Sequence, residues 1–267
     1  MEPGAVWSPL DGGRTNLIWR VDTAGRSLVC KLYKEGRDTP LFVNDAKAEA
    51  LALQTLTGTG IAPEPVATSD GEAGQSLIYY FVEGVPWRGD IAKAGRLLKR
   101  LHDEPAPQKL PRGPMGPLKL LSQAKGMLDE IGSLGDRLRE LEPQAPDVTA
   151  GACAFLHGDP VPGNLVEGKD GLTLIDWQCP AIGDPCDDLA VFLSPAMQYA
   201  YGNAPLSRSQ EEAFLLAYGD RTTIDRYRKM APVYHWRMAI YCLWQHAQGE
   251  PDYKTGAELE IRRLKRG

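Results

Sequence analysis

With 267 residues and 43% hydrophobic content, the chain is long enough to bury a sizeable core, either as one two-lobed unit or as two small domains. Charged residues at 24% and aromatics at 8% exclude wholesale disorder, and a formal charge of -5 argues against a nucleic-acid partner. The five cysteines are odd in number and contain no Cys-x-x-Cys pair, which suggests neither a disulfide framework nor a zinc ribbon. The first residues lack a basic stretch followed by an apolar one, and no window approaches the about 18 apolar residues of a membrane span, so a cytoplasmic protein off the membrane is expected.

In chain order, short apolar runs between turn residues predict strands at 5–9, 17–21, 27–33, 66–69 and 76–81, a small antiparallel sheet. One predicted helix, 45–56, interrupts them and stops near Gly58 and Gly60. After Gly84 the period lengthens. Helices are predicted at 91–102 and 118–141, separated by a stretch holding Pro105, Pro107, Pro111, Pro114 and Pro117. Strands return between 151 and 176, with a hairpin turn at 168–171. A late helix opens on a Ser209/Glu212 capping box, and a long aromatic-rich helix is expected over 224–246, kinked or broken near Pro232. The expected division is a sheet-rich lobe over 1–84 and a helical lobe over 85–267, α+β in class, with a ligand cleft between them.

The densest polar constellation is His157-Gly158-Asp159-Pro160-Val161-Pro162-Gly163-Asn164, followed twelve residues later by Asp176 in Leu174-Ile175-Asp176-Trp177. Phosphoryl transfer needs a carboxylate beside the acceptor hydroxyl and hard oxygen ligands for Mg²⁺. Asp159, Asn164 and Asp176 would supply those parts. Taken alone, the loop reads equally well as a turn, since Asp, Asn, Pro and Gly are turn residues. An acidic group closing a hydrophobic strand, as Asp176 does, wants a cation and favours the chemical reading.

These residues resemble the aminoglycoside phosphotransferase and choline kinase superfamily, a branch of the protein-kinase-like fold, whose hallmark is His-Gly-Asp-x-x-x-x-Asn followed by Ile-Asp-Trp. Gly183-Asp184-Pro185-Cys186-Asp187-Asp188-Leu189-Ala190 also looks like that family's Gly-Asp-Pro-x-x-Asp-Leu-Ala block. The resemblance implies a bilobal ATP-dependent kinase. It makes Asp159 the catalytic carboxylate, Asn164 and Asp176 the Mg²⁺ ligands, and Asp188 the support of the catalytic loop. His157 is expected to be a structural brace.

For the nucleotide, the resemblance calls for a phosphate-covering turn, a strand lysine and a helix carboxylate. Gly12, Gly13, Thr15 and Asn16 lie in a turn between two predicted strands, where glycines let backbone N–H groups approach phosphates. Strand alternation sends Lys31 to the face opposite Cys30 and Leu32. Glu49 shares a helix face with Ala46, Leu53 and Leu56, so it wants a buried cation, for which Lys31 is the candidate. The backbone at Tyr80 and Val82 is implied to hydrogen-bond adenine.

Gly158 and Trp177 depart from the protein-kinase pattern and favour a small-molecule acceptor bearing a hydroxyl. Tyr227, Tyr234, Trp236, Tyr241 and Trp244 read either as an aromatic box for a quaternary ammonium such as choline or thiamine, or as core packing, which is the commoner use. Asp184, Asp187, Glu211 and Glu212 read as receivers of aminoglycoside amines or as solvated helix faces. No protein partner is evident. A nucleotide-binding regulator with little turnover is the alternative, and a metal hydrolase built on His157 and Asp159 lacks further ligands nearby.

Overall fold

The structure is a computed structural model and describes residues 4–10, 15–149 and 151–265. Strands β1 (Val6–Pro9), β2 (Leu17–Asp22), β3 (Ser27–Leu32), β4 (Pro65–Gly71) and β5 (Gly74–Tyr80) form an antiparallel sheet in the order β1-β2-β3-β5-β4. Alternation puts Val29, Lys31, Leu77 and Tyr79 on one face, where all four are buried. Helix α1 (Ala46–Thr55) is capped by Asp45, whose carboxylate accepts from the N–H groups of Lys47 and Ala48, and it buries Ala48, Glu49, Ala52 and Leu53.

The chain then leaves the sheet. Gly84 passes so close to the next lobe that a Cβ there would sit 2.6 Å from the carbonyl oxygen of Glu167, and only glycine fits. Strand β6 (Val85–Pro86) joins β8 (Leu165–Gly168), which forms the expected hairpin with β9 (Gly171–Leu174). The helical lobe begins with α2 (Ile91–Asp103), whose stripe of Ile91, Ala94, Leu97, Leu98 and Leu101 is buried.

The single helix predicted over 118–141 is instead three pieces: α3 (Pro117–Glu130), a 3₁₀ turn over Gly132–Gly135 and α4 (Asp136–Glu140). Gly132 takes φ 55°, which reverses the chain, and Gly135 packs directly on Leu128. Strand β7 (Ala154–Leu156) pairs with β10 (Ala181–Gly183), followed by α5 (Cys186–Leu193), α6 (Pro195–Ala200), α7 (Arg208–Tyr218), α8 (Arg221–Ala247) and α9 (Tyr253–Leu264). The capping box of α7 is Ser207/Gln210, two residues before the expected Ser209/Glu212. Helix α8 runs through Pro232 without interruption. The carbonyl that loses its partner belongs to Arg228, an exposed residue.

Among the described residues, no helix is long and apolar enough to cross a membrane.

Candidate active site

Strand β7, with Ala154, Phe155 and Leu156 all buried, delivers the chain to His157 at the boundary between the lobes. Here the backbone turns sharply. Gly158 has φ 85°, and a Cβ on it would lie 2.1 Å from the carbonyl oxygen of Cys179. The turn is held by the fully buried Asp188 of α5. Its Oδ2 accepts from the His157 N–H at 2.8 Å and its Oδ1 from the Gly158 N–H at 2.9 Å. That is the supporting role expected of Asp188.

His157 is a brace, as expected. Its Nε2 lies 3.0 Å from the carbonyl oxygen of Ile175, so Nε2 carries the hydrogen, while Nδ1 accepts from the Asp159 N–H at 3.2 Å. Both bonds require the neutral ring, and burial holds the imidazole below its ordinary pKa. Trp177, also fully buried, packs edge-on against this ring and donates from Nε1 to Leu174.

The loop and the β9 strand end meet through main chain and side chain alike. The Ile175 N–H donates to the Asn164 carbonyl at 2.9 Å, and Asn164 Nδ2 donates to Asp159, 2.9 Å to its carbonyl and 3.3 Å to Oδ2. With its amide nitrogen so used, Asn164 has its Oδ1 free of hydrogen bonds among the described residues. Asp176 uses Oδ1 on Lys31, and its side chain remains 29% exposed. Asn164 Oδ1 and the second oxygen of Asp176 are hard donors of the kind that fits a cation completing its shell from another molecule. No group of three or more His, Cys, Asp or Glu among the described residues forms a cage of its own.

Asp176 is the one non-glycine residue with positive φ among the described residues, at 60°. Aspartate tolerates that region better than most residues, and such a conformation persists only where the surroundings impose it. Across the cleft, Lys31 is fully buried and donates to Glu49 Oε2 at 2.7 Å and to Asp176 Oδ1 at 2.5 Å. Burial works against its charge, but the carboxylates of Asp176 and Glu49 outweigh it and hold the ammonium above its ordinary pKa. Burial, reinforced by the Asp176 carboxylate, pushes Asp159 up to about 7 against the opposing bond from Asn164.

The remaining predicted residues divide. Val82 lies in the connector, with no hydrogen-bond partner for its N–H among the described residues. The N–H of Tyr80 is used by Glu64. Thr15 and Asn16 lie in the bend just before β2, Asn16 with its side chain buried among other amides, and Gly12 and Gly13 lie outside the described residues.

Of the aromatic set, Tyr227, Tyr234 and Trp236 are core residues. Trp236 donates to the Leu138 carbonyl and Trp244 to Glu130. Tyr241 is different: it meets Phe42 of the sheet lobe at 5.2 Å between ring centroids and Tyr253 at 6.1 Å. The four carboxylates considered as amine receivers are each paired with arginine, Asp184 with Arg226, Asp187 with Arg237, Glu211 with Arg263 and Glu212 with Arg228.

Sequence reasoning missed Tyr33 and His102. The Tyr33 hydroxyl donates to the Glu49 oxygen that Lys31 also uses. Its position two residues after Lys31, on the same strand face, was an available signal. His102 sets Nε2 3.1 Å from Asp188 and Nδ1 2.9 Å from the Tyr218 hydroxyl, and nothing in the leucine-rich end of α2 announces it.

Solved structures with the same protein-kinase-like fold cover almost the whole chain. A choline kinase from Cryptosporidium parvum Iowa II superposes with a TM-score of 0.70 at 14% identity, over 100% of this chain and 89% of that one. The choline kinase of Streptococcus pneumoniae gives 0.65 at 19% identity, covering 97% and 95%. An aminoglycoside phosphotransferase, seen in a ternary complex with AMP-PNP and hygromycin B, gives 0.67 at 14% identity, covering 98% and 93%. No curated protein matches the sequence significantly. The family model described as the phosphotransferase enzyme family matches residues 6–233, most of both lobes, and the chain is therefore a member of that family.

Proposed function

We propose that the protein is a kinase that uses Mg²⁺ and ATP to phosphorylate a hydroxyl group of a small molecule. The observation that carries this reading is the meeting of three segments: Lys31 of the sheet lobe pairs with Asp176 beyond β9, and the loop that holds Asp159 and Asn164 is tied to that same strand end by the Ile175 N–H. Asp159 would orient the acceptor hydroxyl and take its proton as the oxygen bonds to the γ-phosphorus and the bond to the β–γ bridging oxygen breaks, releasing ADP. Its raised pKa suits a group that must hold and release that proton.

Lys31, oriented by Glu49, would exchange Asp176 for phosphate oxygens, which frees Asp176 to join Asn164 as a metal ligand. Mg²⁺ bound there would neutralise charge on the polyphosphate. The glycine turn with Gly12, Gly13, Thr15 and Asn16 would cover the phosphates, and the backbone of Tyr80 and Val82 would receive adenine. Residues 1–84 would serve the nucleotide and 85–267 the chemistry and the acceptor, in the cytoplasm. AMP-PNP in one structural neighbour and the acceptors named for others support a nucleotide and a cationic alcohol of the choline or aminoglycoside kind.

The test is ADP release with Mg·ATP and a panel of choline-, thiamine- and aminoglycoside-like alcohols. Acceptor-dependent turnover is expected in the parent and a loss of at least about a hundredfold in Asp159→Asn. Nucleotide binding without turnover on any acceptor would move the protein to a regulatory role.

A further inference from the structure

The predicted nucleotide turn ends on an asparagine whose carboxamide has no capacity left for a ligand. Asn16 is 4% exposed. Its Nδ2 donates to Asn44 Oδ1 at 2.8 Å and to Gln178 Oε1 at 3.2 Å, while its Oδ1 accepts from Asn44 Nδ2 at 2.9 Å and from the Lys34 N–H at 3.1 Å. Two donors and two acceptor sites are all that a carboxamide has.

These partners belong to three different parts of the molecule. Asn16 lies just before β2, Lys34 and Asn44 lie in the segment between β3 and α1, and Gln178 lies two residues beyond Asp176. Gln178 is itself 6% exposed, and its carbonyl accepts from the N–H of Asp45, the cap of the helix that carries Glu49, at 2.9 Å. The short run from Asp176 to Gln178 is thus pinned to the sheet lobe twice, through the Gln178 backbone to Asp45 and through its side chain to Asn16. Asp176 needs such pinning, because its left-handed backbone is held only by its surroundings.

We propose that Asn16 is a positioning residue for the metal and nucleotide: its buried carboxamide fixes Gln178, and through Gln178 the orientation of Asp176, against the turn that opens β2. The inference rests on the phosphotransferase reading of Asp176 but concerns a residue that touches neither phosphate nor metal through its side chain. Groups behind a metal ligand commonly matter about as much as the ligand's own orientation, and their loss typically weakens metal affinity about 10–100-fold.

The test is calorimetric titration of Mg·ADP, and of ADP without Mg²⁺, into the parent, Asn16→Ala, Gln178→Ala and the double variant, with a melting curve for each. Each single variant is expected to weaken Mg·ADP binding about tenfold, and Gln178→Ala, which lies outside the phosphate-covering turn, to leave metal-free ADP binding within about twofold. The double variant should bind no worse than the weaker single one, because both substitutions cut the same link. Lowered melting temperatures with unchanged Mg·ADP affinity, or an equal loss with and without Mg²⁺ in Gln178→Ala, would overturn the proposal. Should Asn16→Ala not fold, Asn44→Ala, at the half-exposed edge of the cluster, is expected to show a smaller Mg²⁺-specific loss, and no loss there overturns it equally. A parent chain that binds no Mg·ADP sinks the phosphotransferase reading itself, whereas a parent that binds and variants that bind alike sink only this inference.

Discussion

Asp188 is fully buried with no arginine or lysine paired to it among the described residues, and its carboxyl oxygens are held by the N–H groups of His157 and Gly158 and by His102 Nε2. Asparagine in its place has one acceptor oxygen and turns an N–H₂ toward at least one donor. Asp188→Asn is therefore expected to cost about 1–3 kcal/mol in denaturant unfolding. Turnover should fall with it while Mg·ADP still binds, since Lys31 and Asp176 are untouched.

His157 permits a prediction with a sign. Its folded pKa lies below the ordinary 6.5, so the unfolded chain takes up a proton near pH 6.5 that the folded chain refuses until more acid conditions. The stability it contributes is present above about pH 6.5 and is lost as pH falls toward the folded pKa, at up to about 1.4 kcal/mol per pH unit. Unfolding of the parent and of His157→Gln at pH 7.5 and 5.5 should show the stability gap between them narrowing in acid. A constant gap would mean that His157 titrates alike in both states.

Among the elements, the strands were legible because alternation and turn residues are local, and the same logic put Lys31 on the face it occupies, opposite Glu49. Helix limits were less so. Ser207 and Ser209 each have an amide or acid three residues on, and only the burial of Phe214, Leu215 and Tyr218 selects the first pair. The break at Gly132 depends on Gly135 packing against Leu128, a contact that the leucine spacing of 118–141 does not reveal. Strand β10 is three residues long and exists because β7 lies beside it. The hallmark motif was legible as a pattern, but the reason for its glycine was not: Gly158 combines φ 85° with the Cys179 carbonyl against its Cα. Gly158→Ala adds about 1–2 kcal/mol of left-handed strain to a direct backbone collision. It is expected to lower the melting temperature and to abolish turnover together, measured by calorimetry and ADP release, and a folded, active Gly158→Ala enzyme would contradict the geometry of the loop.

For the molecule as a whole, the segment between β3 and α1, residues 33–45, ties the two lobes together. Thr39 Oγ1 lies 3.4 Å from the Tyr241 hydroxyl, Phe42 meets the Tyr241 ring at a 75° interplanar angle, and Gln123 Nε2 donates to the Pro40 carbonyl at 3.0 Å. Read from sequence this stretch is simply the gap before a helix. Its partners lie about 80 to 200 residues away, so no local pattern encodes them. The same contacts single out Tyr241 from the aromatic set, as the one whose ring is shared between lobes. An edge-to-face aromatic pair contributes about 0.5–1.5 kcal/mol beyond its buried area, which in a connecting segment acts on local opening more than on global unfolding. Phe42→Ala is therefore expected to speed limited proteolysis within 34–45 several-fold, with cleavage sites mapped by mass spectrometry, while the melting temperature moves little. Because Asn44 of the same segment is bound to Asn16 at its far end, saturating Mg·ADP should slow that cleavage in parent and variant alike. Cleavage indifferent to nucleotide would show that the segment answers only to the helical lobe.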